Sequence, residues 1–222
     1  MMEHRLPSDI ERSSMAIIRR ELEARGVRLE AETAPVVLRV IHATADFDYL
    51  DTLMLSPGCV TQAAQALRRG TPIVTDTNMA LSGISKTALK KLEASARCYM
   101  AEPAVAQAAK ERGTARAVAA MELAAREHPG AILAIGNAPT ALFRIAEQIR
   151  DGLRPALVIA VPVGFVNVVE SKEQIVRVCR EQEVPCIAAM GRKGGSTVAA
   201  AIVNALLYTA ADMLDPEERG WN

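Results

Sequence analysis

The sequence predicts a three-layer α/β/α protein built on a five-stranded parallel sheet, with additional helices at its N-terminus. Five short apolar runs have the length of buried parallel strands, and turn residues or charges bound each of them. Segments with apolar residues at three- and four-residue spacing alternate with these runs, which indicates βαβ units with right-handed crossovers. We therefore expect helices on both faces of one parallel sheet.

The predicted strands are TPIVTD (71–76), ARCYMA (96–101), AILAIG (131–136), ALVIAV (156–161) and PCIAAMG (185–191). The helical patterns that separate or follow them are TARAVAAMELAARE (114–127), PTALFRIAEQIRD (139–151), SKEQIVRVCREQ (171–182) and STVAAAIVNALLYTAADML (196–214). Glu170, Ser171 and Lys172 are predicted to form a capped, solvated helix start.

Residues 1–70 are predicted to be mostly helical. Pro7-Ser8 starts the first helix, the second runs from about Ala31 to His42, and the third runs from Val60 to Arg69 and ends at Gly70. One stripe of the first helix is apolar except for a serine, and it comprises Ile10, Ser14, Ile17, Ile18 and Leu22. The chain is interpreted as one domain of residues 1–222, with a helical part (1–70), a parallel α/β core (71–211) and a C-terminal tail (212–222).

Composition narrows the function classes. Apolar residues make up 50% of the chain, which is enough for a substantial core. Aromatic residues are only 3%, and 26 basic residues balance 26 acidic ones, so neither nucleic acid nor a membrane surface is an expected partner. The absence of a signal peptide and of a long apolar run predicts a soluble cytoplasmic protein.

The four cysteines are predicted to be buried, reduced thiols. No CxxC pair occurs, and cysteine and histidine residues are scattered, so neither disulfides nor a metal site is expected. The cysteines each sit in or beside an apolar stretch, and they are Cys59, Cys98, Cys179 and Cys186.

Ligands of an open parallel sheet bind beyond the carboxyl ends of its strands, so the segments that leave those ends predict the site. Small and polar residues open the following helices there, where free N–H groups favour anions and a bulky ligand can approach the backbone. For any single loop an ordinary helix cap is the better explanation, and none has nucleotide-binding spacing. The segments are TDTNMALSGISK (75–86), GNAPTALF (136–143), VPVGFVNVVESK (161–172) and GRKGGSTVAA (191–200), with substrate-binding candidates Gly136, Asn137, Arg192, Gly194 and Ser196.

His42 is the best candidate for proton chemistry because an imidazole titrates near neutrality. If the helix continues, Asp46 lies one turn away and would stabilise the cationic form. The alternative for His42 is a core or helix-end histidine bonded to a backbone carbonyl. His128 is predicted to be a helix-end residue before a turn, and His4 lies near the terminus. Arg116 opens a helix on the binding side and either clamps a carboxylate or is a solvated surface residue.

Five segments together closely resemble the precorrin-8X methylmutases, a family that includes the cobalt-precorrin-8 methylmutases of corrin (vitamin B12) biosynthesis. The similarity extends from IERSSMAII (10–18) to about residue 207, and DMLDPEERGWN (212–222) has no counterpart. The segments are IHATADFDYL, TDTNMALSGISK, AIGNAPTALFRI, VPVGFVNVVESK and GRKGGS.

The resemblance implies a flavodoxin-like domain that works as a homodimer. It implies an isomerase that moves one methyl group from C-11 to C-12 on ring C of precorrin-8X or cobalt-precorrin-8, giving hydrogenobyrinate or cobyrinate. No organic cofactor is expected, and cobalt would arrive only within the substrate. A non-catalytic corrinoid carrier remains the alternative, and a nucleotide-binding enzyme is a distant third. The sequence does not separate the metal-free route from the cobalt route.

The resemblance also implies residue roles. His42 matches the active-site histidine that gives a proton or hydrogen bond to the macrocycle, and Ser14 matches a serine that reaches the site from the first helix. Ser85 matches a hydroxyl residue after the first strand, and Arg116 matches a substrate-contacting arginine. The chain departs from the family pattern at Ala115, Ala117 and Glu102.

Overall fold

One sheet of six strands runs through the centre of the computed structural model, which describes residues 6–219. The strands are β1 (Leu53–Leu55), β2 (Ile73–Thr75), β3 (Ala96–Cys98), β4 (Ile132–Ile135), β5 (Leu157–Ala160) and β6 (Cys186–Ala189). The helices are α1 (Pro7–Ala24), α2 (Ala34–Thr44), α3 (Tyr49–Thr52), α4 (Cys59–Arg68), α5 (Asn78–Ser82), α6 (Lys86–Lys91), α7 (Pro103–Glu111), α8 (Arg116–Glu127), α9 (Pro139–Arg150), α10 (Val168–Glu181) and α11 (Ser196–Ala210), followed by a 3₁₀ turn at Pro216–Arg219.

The sheet order is β1-β6-β5-β4-β2-β3, and β2 to β6 are mutually parallel, as the five apolar runs predict. The prediction of a buried strand is wrong for β3, which is a partly exposed edge strand. The prediction of an all-parallel sheet is wrong at one edge, where β1 pairs antiparallel with β6 through Leu53 and Ala189. β1 is apolar but has only three residues, which is shorter than the apolar runs that indicate a strand, and none of them is fully buried. It covers the edge of β6 that would otherwise be unpaired.

The two faces of the sheet carry two separate apolar cores, which confirms the α/β architecture. Alternate residues of each strand point to opposite faces, so in β4 Ile132 packs on one side and Leu133 on the other. Side chains of α2, α4, α5, α6 and α11 cover the first face, and those of α7, α8, α9 and α10 cover the second. Both faces of the sheet are therefore buried under apolar side chains, which explains why the central strands are apolar throughout.

The N-terminal helices pack on each other through a third, smaller core. Ile18 and Leu22 of α1 are buried there against Val37 and Ile41 of α2. The predicted apolar stripe of α1 is therefore only partly covered, because Ile10 and Ile17 remain 53% and 48% exposed. α1 is thus fixed by one half of its apolar surface, and the other half borders open space.

Several boundaries differ from the sequence prediction. α7 is an unpredicted helix, because its alanine-rich sequence carries only two buried side chains, Val105 and Ala109. The Ala-rich α11 ends at Ala210 rather than at residue 214. His128 does cap the end of α8, as predicted. His4 and the last three residues of the tail lie outside the described residues.

The cysteines are free, and Cys59, Cys179 and Cys186 are buried while Cys98 is half-buried. The prediction of buried, free thiols is therefore confirmed for Cys59, Cys179 and Cys186, and it is wrong on the burial of Cys98. Within residues 6–219, no helix has the length and apolar character needed to cross a membrane. The same residues contain no cluster of three or more histidine, cysteine or carboxylate side chains suited to a metal ion.

Candidate active site

His42 lies in the last turn of α2 and pairs with a serine of α1. Ser14 Oγ and His42 Nδ1 are 2.8 Å apart, a hydrogen-bonding distance. α2 ends two residues after His42 because Ala45 adopts a left-handed conformation, with φ of 52°. The structure therefore brings together the two residues to which the family resemblance assigns separate roles.

The Ser14–His42 pair opens into a cavity of about 590 Å³ between α1 and the end of α2. This volume falls within the range of small-molecule sites, roughly 300–1,000 Å³. Glu21 also lines the cavity, and its apolar wall comes from Ile10, Ile17, Ile18, Ile41 and Phe47. A half-buried imidazole thus faces a space with mostly apolar walls, which suits a large conjugated ring.

The environment favours the neutral form of His42. Burial lowers the pKa of His42 below its usual 6.5, the positive charges of Arg39 and Arg219 lower it further, and the carboxylate of Glu11 opposes them. At neutral pH the imidazole is therefore mostly uncharged. With Nδ1 bonded to Ser14, a neutral ring that carries its proton on Nε2 is a hydrogen-bond donor.

The prediction that Asp46 stabilises a cationic His42 is wrong. Asp46 Oδ2 accepts a hydrogen bond from Lys193 Nζ at 2.6 Å, and this bond holds the pKa of Asp46 below its usual range. The helix stops before residue 46 at the left-handed Ala45, so the expected i, i+4 pairing with His42 never forms. The carboxylate instead anchors the loop that follows β6.

Lys193 ties the β6 exit loop to the segment after α2. Its Nζ donates to Asp46 Oδ2 and Asp48 Oδ2, each at 2.6 Å. Its charge is therefore matched by two carboxylates. The neighbouring Arg192 is exposed, and its guanidinium lies 5.4 Å from the ring centre of Phe165 in the loop after β5. The guanidinium group of Arg192 therefore faces solvent.

Asp76, which the sequence reasoning did not single out, joins two of the predicted loops. Its carboxylate follows β2 and accepts the backbone N–H groups of Gly136, Asn137 and Ala138 at 2.8, 2.8 and 2.7 Å. Burial raises the pKa of Asp76, although the three N–H groups act in the opposite direction. The N–H groups predicted to receive a ligand anion before α9 are therefore occupied by the protein itself.

The remaining loops meet at the same sheet edge. Thr77 Oγ1 and Ser196 Oγ are 2.8 Å apart, and they connect the β2 exit to the start of α11. A Cβ atom added to Gly136 would lie 2.8 Å from the Ser196 Cα atom, so only glycine permits this approach. The predicted convergence of the four loops is confirmed, and much of their polar surface is used to hold one loop on another.

Replacing Gly194 by alanine should lower the free energy of unfolding by about 2–4 kcal/mol, because backbone atoms must move. Gly194 has φ of +153°, and an added Cβ atom would lie 2.2 Å from the Val161 carbonyl oxygen. Urea unfolding measures the change. Gly130→Ala is the matched control, since nothing lies within 4 Å of its Cβ position. Equal unfolding midpoints for the two variants would contradict the predicted clash.

The buried side chain of Lys172 holds the β6 exit loop through hydrogen bonds to its backbone. The prediction of a solvated helix start is wrong for Ser171 and Lys172, which are both 0% exposed. Lys172 Nζ donates to the carbonyl oxygens of Gly191 and Lys193 at 2.9 and 2.8 Å, and burial lowers its pKa to about 8. The signal was present in the sequence, because Lys172 falls at helical spacing from the apolar residues Val168, Ile175 and Cys179.

Ser85 and Arg116 lie elsewhere on the molecule. Ser85 Oγ caps α6 by accepting the Ala88 N–H, and the Ser85 N–H donates to Asn204 Oδ1 at 2.8 Å. Arg116 is the exposed first residue of α8, which runs back toward the start of β4, so Arg116 lies on the side of the exit loops. Neither residue lines the His42 cavity.

Comparison with known proteins places these features in a family. The model of the family described as CbiC, precorrin-8X methylmutase, matches residues 9–209. The cobalt-precorrin-8 methylmutase of Salmonella typhimurium is 48% identical over 174 residues, which cover 78% of this chain and 80% of the relative. The cobalt-precorrin-8 methylmutase of Leptospira interrogans is 42% identical over 211 residues, which cover 93% and 95%.

A solved structure agrees with the sequence relatives. The precorrin-8x methyl mutase of Thermus thermophilus superposes with a TM-score of 0.80 and 40% sequence identity, covering 91% of this chain and 98% of that chain. The match therefore covers nearly all of the described fold. The chain belongs to the precorrin-8X methylmutase family.

Proposed function

We propose that the protein is an intramolecular transferase that moves a methyl group from C-11 to C-12 on ring C of precorrin-8X or cobalt-precorrin-8. The product is hydrogenobyrinate or cobyrinate. The observation that carries this proposal is the Ser14–His42 pair at the mouth of a largely apolar cavity, in a chain that belongs to the methylmutase family. The relatives are named for both substrates, so their names favour neither the metal-free nor the cobalt form.

His42 acts in this proposal as a neutral hydrogen-bond donor. We assign Ser14 Oγ as the donor in its 2.8 Å contact with His42 Nδ1. The neutral imidazole then carries its proton on Nε2 and donates it to the conjugated system of ring C. A methyl migration of this kind needs no nucleophile, only polarisation of the ring and a fixed ring shape. General acid assistance typically supplies about 10²–10⁴-fold, and orientation supplies the remainder.

The macrocycle carries acetate and propionate side chains, which need partners outside the His42 cavity, on the side of the sheet where the exit loops meet. We assign these contacts to Arg116, Arg192 and the exposed side chain of Asn137, with Gly194, Ser196 and Ser85 shaping the loops. Support comes from the exposure of the two guanidinium groups and from the meeting of the loops at one edge. The backbone N–H groups of Gly136 and Asn137 are left out of the assignment because Asp76 binds them.

The proposed reaction uses no organic cofactor. The methyl group leaves one carbon and joins another within the same molecule, so the balance requires no external oxidant, reductant or group donor. Cobalt enters only as part of the substrate on the cobalt route. This assignment is supported by the chemistry of the rearrangement itself.

We also propose a flavodoxin-like homodimer that works in the cytoplasm. Counted among themselves, the five parallel strands have the order 2-1-3-4-5, which supports the flavodoxin-like class. Ile10 and Ile17 of α1 are exposed where they line the His42 cavity, which supports a dimer surface at the N-terminal helices that adjoins this cavity. α11 is a poor second candidate, because most of its side chains are buried within the protomer. The free cysteines suit a reducing compartment.

Incubation of the purified protein with precorrin-8X, and separately with cobalt-precorrin-8, tests the function. We expect the absorption spectrum of the substrate to convert to that of the product, because the methyl shift changes the conjugated system. A boiled sample of the protein serves as the control. Binding that leaves the starting spectrum unchanged with both substrates would identify a corrinoid carrier and overturn the assignment.

A further inference from the structure

A buried charge cluster lies behind the Ser14–His42 pair. Glu11 Oε1 accepts hydrogen bonds from Arg39 Nη2 and Arg219 Nη1, both at 2.6 Å. Glu11 and Arg219 are each only 4% exposed. Burial alone would raise the pKa of Glu11, but the two guanidinium groups outweigh burial and hold the pKa below its usual range. The cluster is therefore charged at neutral pH.

The cluster and the active-site pair connect the same two helices. Glu11 and Ser14 are three residues apart on α1, and Arg39 and His42 are three residues apart on α2, so each pair shares one helix face. The Glu11–Arg39 and Ser14–His42 hydrogen bonds thus form two successive contacts between α1 and α2. A change in the first contact must alter the register in which Ser14 meets the imidazole.

The third member of the cluster comes from the C-terminal segment, here residues 213–219. This segment lies beyond residue 209, where the family match ends. Arg219 Nε and Nη2 donate to the carbonyl oxygens of Met213 and Leu214 at 2.8 and 2.6 Å. Its guanidinium lies 4.0 Å from the ring centre of Tyr208, and that of Arg39 lies 5.2 Å from the same ring. The segment is therefore folded around Arg219 and locked onto α1.

We propose that Arg219 and Glu11 are positioning residues for His42, and that the C-terminal segment holds α1 in the register that places Ser14 on the imidazole. The effect of this arrangement on catalysis rests on the proposed function. The charged groups facing His42 are Arg39 from α2, Glu11 and Glu21 from α1, and Arg219 from the C-terminal segment. Asp46 lies four residues after His42, but its carboxylate is hydrogen-bonded to Lys193.

The test is a proton NMR titration of His42 in the full-length protein, with His42→Gln used to assign its signal among the three histidines. Arg219→Met removes a positive charge, so we expect the pKa of His42 to rise. Glu11→Gln removes a negative charge, so we expect it to fall. In turnover assays both variants should lose about 10- to 100-fold in kcat with little change in KM, because neither residue lines the cavity that holds His42. The acid limb of the pH profile should move in the same direction as the NMR titration.

The matched control is Arg12→Gln. Arg12 also joins α1 to the C-terminal segment, through Asp215 and Glu217, but its ion pairs are at the surface and its charge does not influence His42. We expect unchanged titration and unchanged kcat. Glu11→Gln leaves the buried guanidinium of Arg219 without its carboxylate. The double variant Glu11→Gln/Arg219→Met removes both charges and provides a second folded protein, which should also lose kcat.

Two results would overturn the inference: folded single variants whose His42 titration is unchanged or moves in one common direction, or a folded double variant with wild-type kcat. Failure of the proposed function looks different, since the wild-type protein would then leave the substrate spectrum unchanged. The NMR titration needs no substrate, so it tests the coupling of Arg219 and Glu11 to His42 in either case.

Discussion

The substitution of His42 by alanine is expected to reduce kcat by about 10²–10⁴-fold while the dissociation constant of the corrinoid stays nearly unchanged. The imidazole supplies the hydrogen bond that polarises ring C, whereas the apolar wall of the cavity supplies most of the binding surface. Turnover is measured by the spectral conversion of the substrate. Binding is measured by titration with the product, because the product is not consumed during the experiment.

His128→Ala is the matched control for this prediction. His128 is a half-buried histidine at the end of α8, and it does not line the His42 cavity. Its replacement should leave kcat near the wild-type value. Ser14→Ala should have a smaller effect than His42→Ala, since the ring loses its orientation but keeps its donor. Full activity in His42→Ala would remove the imidazole from the mechanism.

The substitution of Asp76 by alanine should lower the free energy of unfolding by about 3–5 kcal/mol. Three backbone N–H groups would lose their shared carboxylate, and those of Gly136 and Ala138 are buried. An unmade hydrogen bond inside the protein costs the full desolvation of the donor, which explains the size of the effect. The change is measured by urea unfolding.

Asp76→Asn gives a graded comparison. Its single side-chain oxygen can replace Oδ2 and keep the Asn137 and Ala138 N–H groups bonded, while the Gly136 N–H faces an amide that cannot accept. We therefore expect a loss between those of the wild type and Asp76→Ala. Asp51→Ala, at an exposed carboxylate of α3, is the control and should change little. A wild-type urea midpoint for Asp76→Ala would show that water or the backbone replaces the carboxylate at no cost.

The predictable part of the fold is the part whose signal is local. The strands β2, β4, β5 and β6 are apolar on both faces, and that pattern is visible in any window of the sequence. β1 is also apolar, but a run of three residues is too short to indicate a strand, and these residues become one only when the edge of β6 lies beside them. Pairing with a distant strand leaves no periodic trace in three residues.

The candidate site divides in the same way. His42 and Ser14 are marked by residue type and by family resemblance, but their 2.8 Å contact depends on how α1 crosses α2. Helical spacing predicts the wrong partner for Asp46, because the helix does not continue past Ala45, where the backbone turns left-handed. Lys172 was placed in solvent by its charge, although its helical position buries it.

By itself the sequence determined the layer architecture, the succession of parallel strands along the chain, the sheet edge where the loops meet and the family to which the chain belongs. All of these follow from periodicity and from short motifs, which are properties of neighbouring residues. Tertiary structure decided which charges neutralise one another: Asp46 with Lys193, Asp76 with the N–H groups before α9, and Glu11 with Arg39 and Arg219. These partners are up to 208 residues apart, and a buried charge is stabilised only by the group that folding brings within hydrogen-bonding distance.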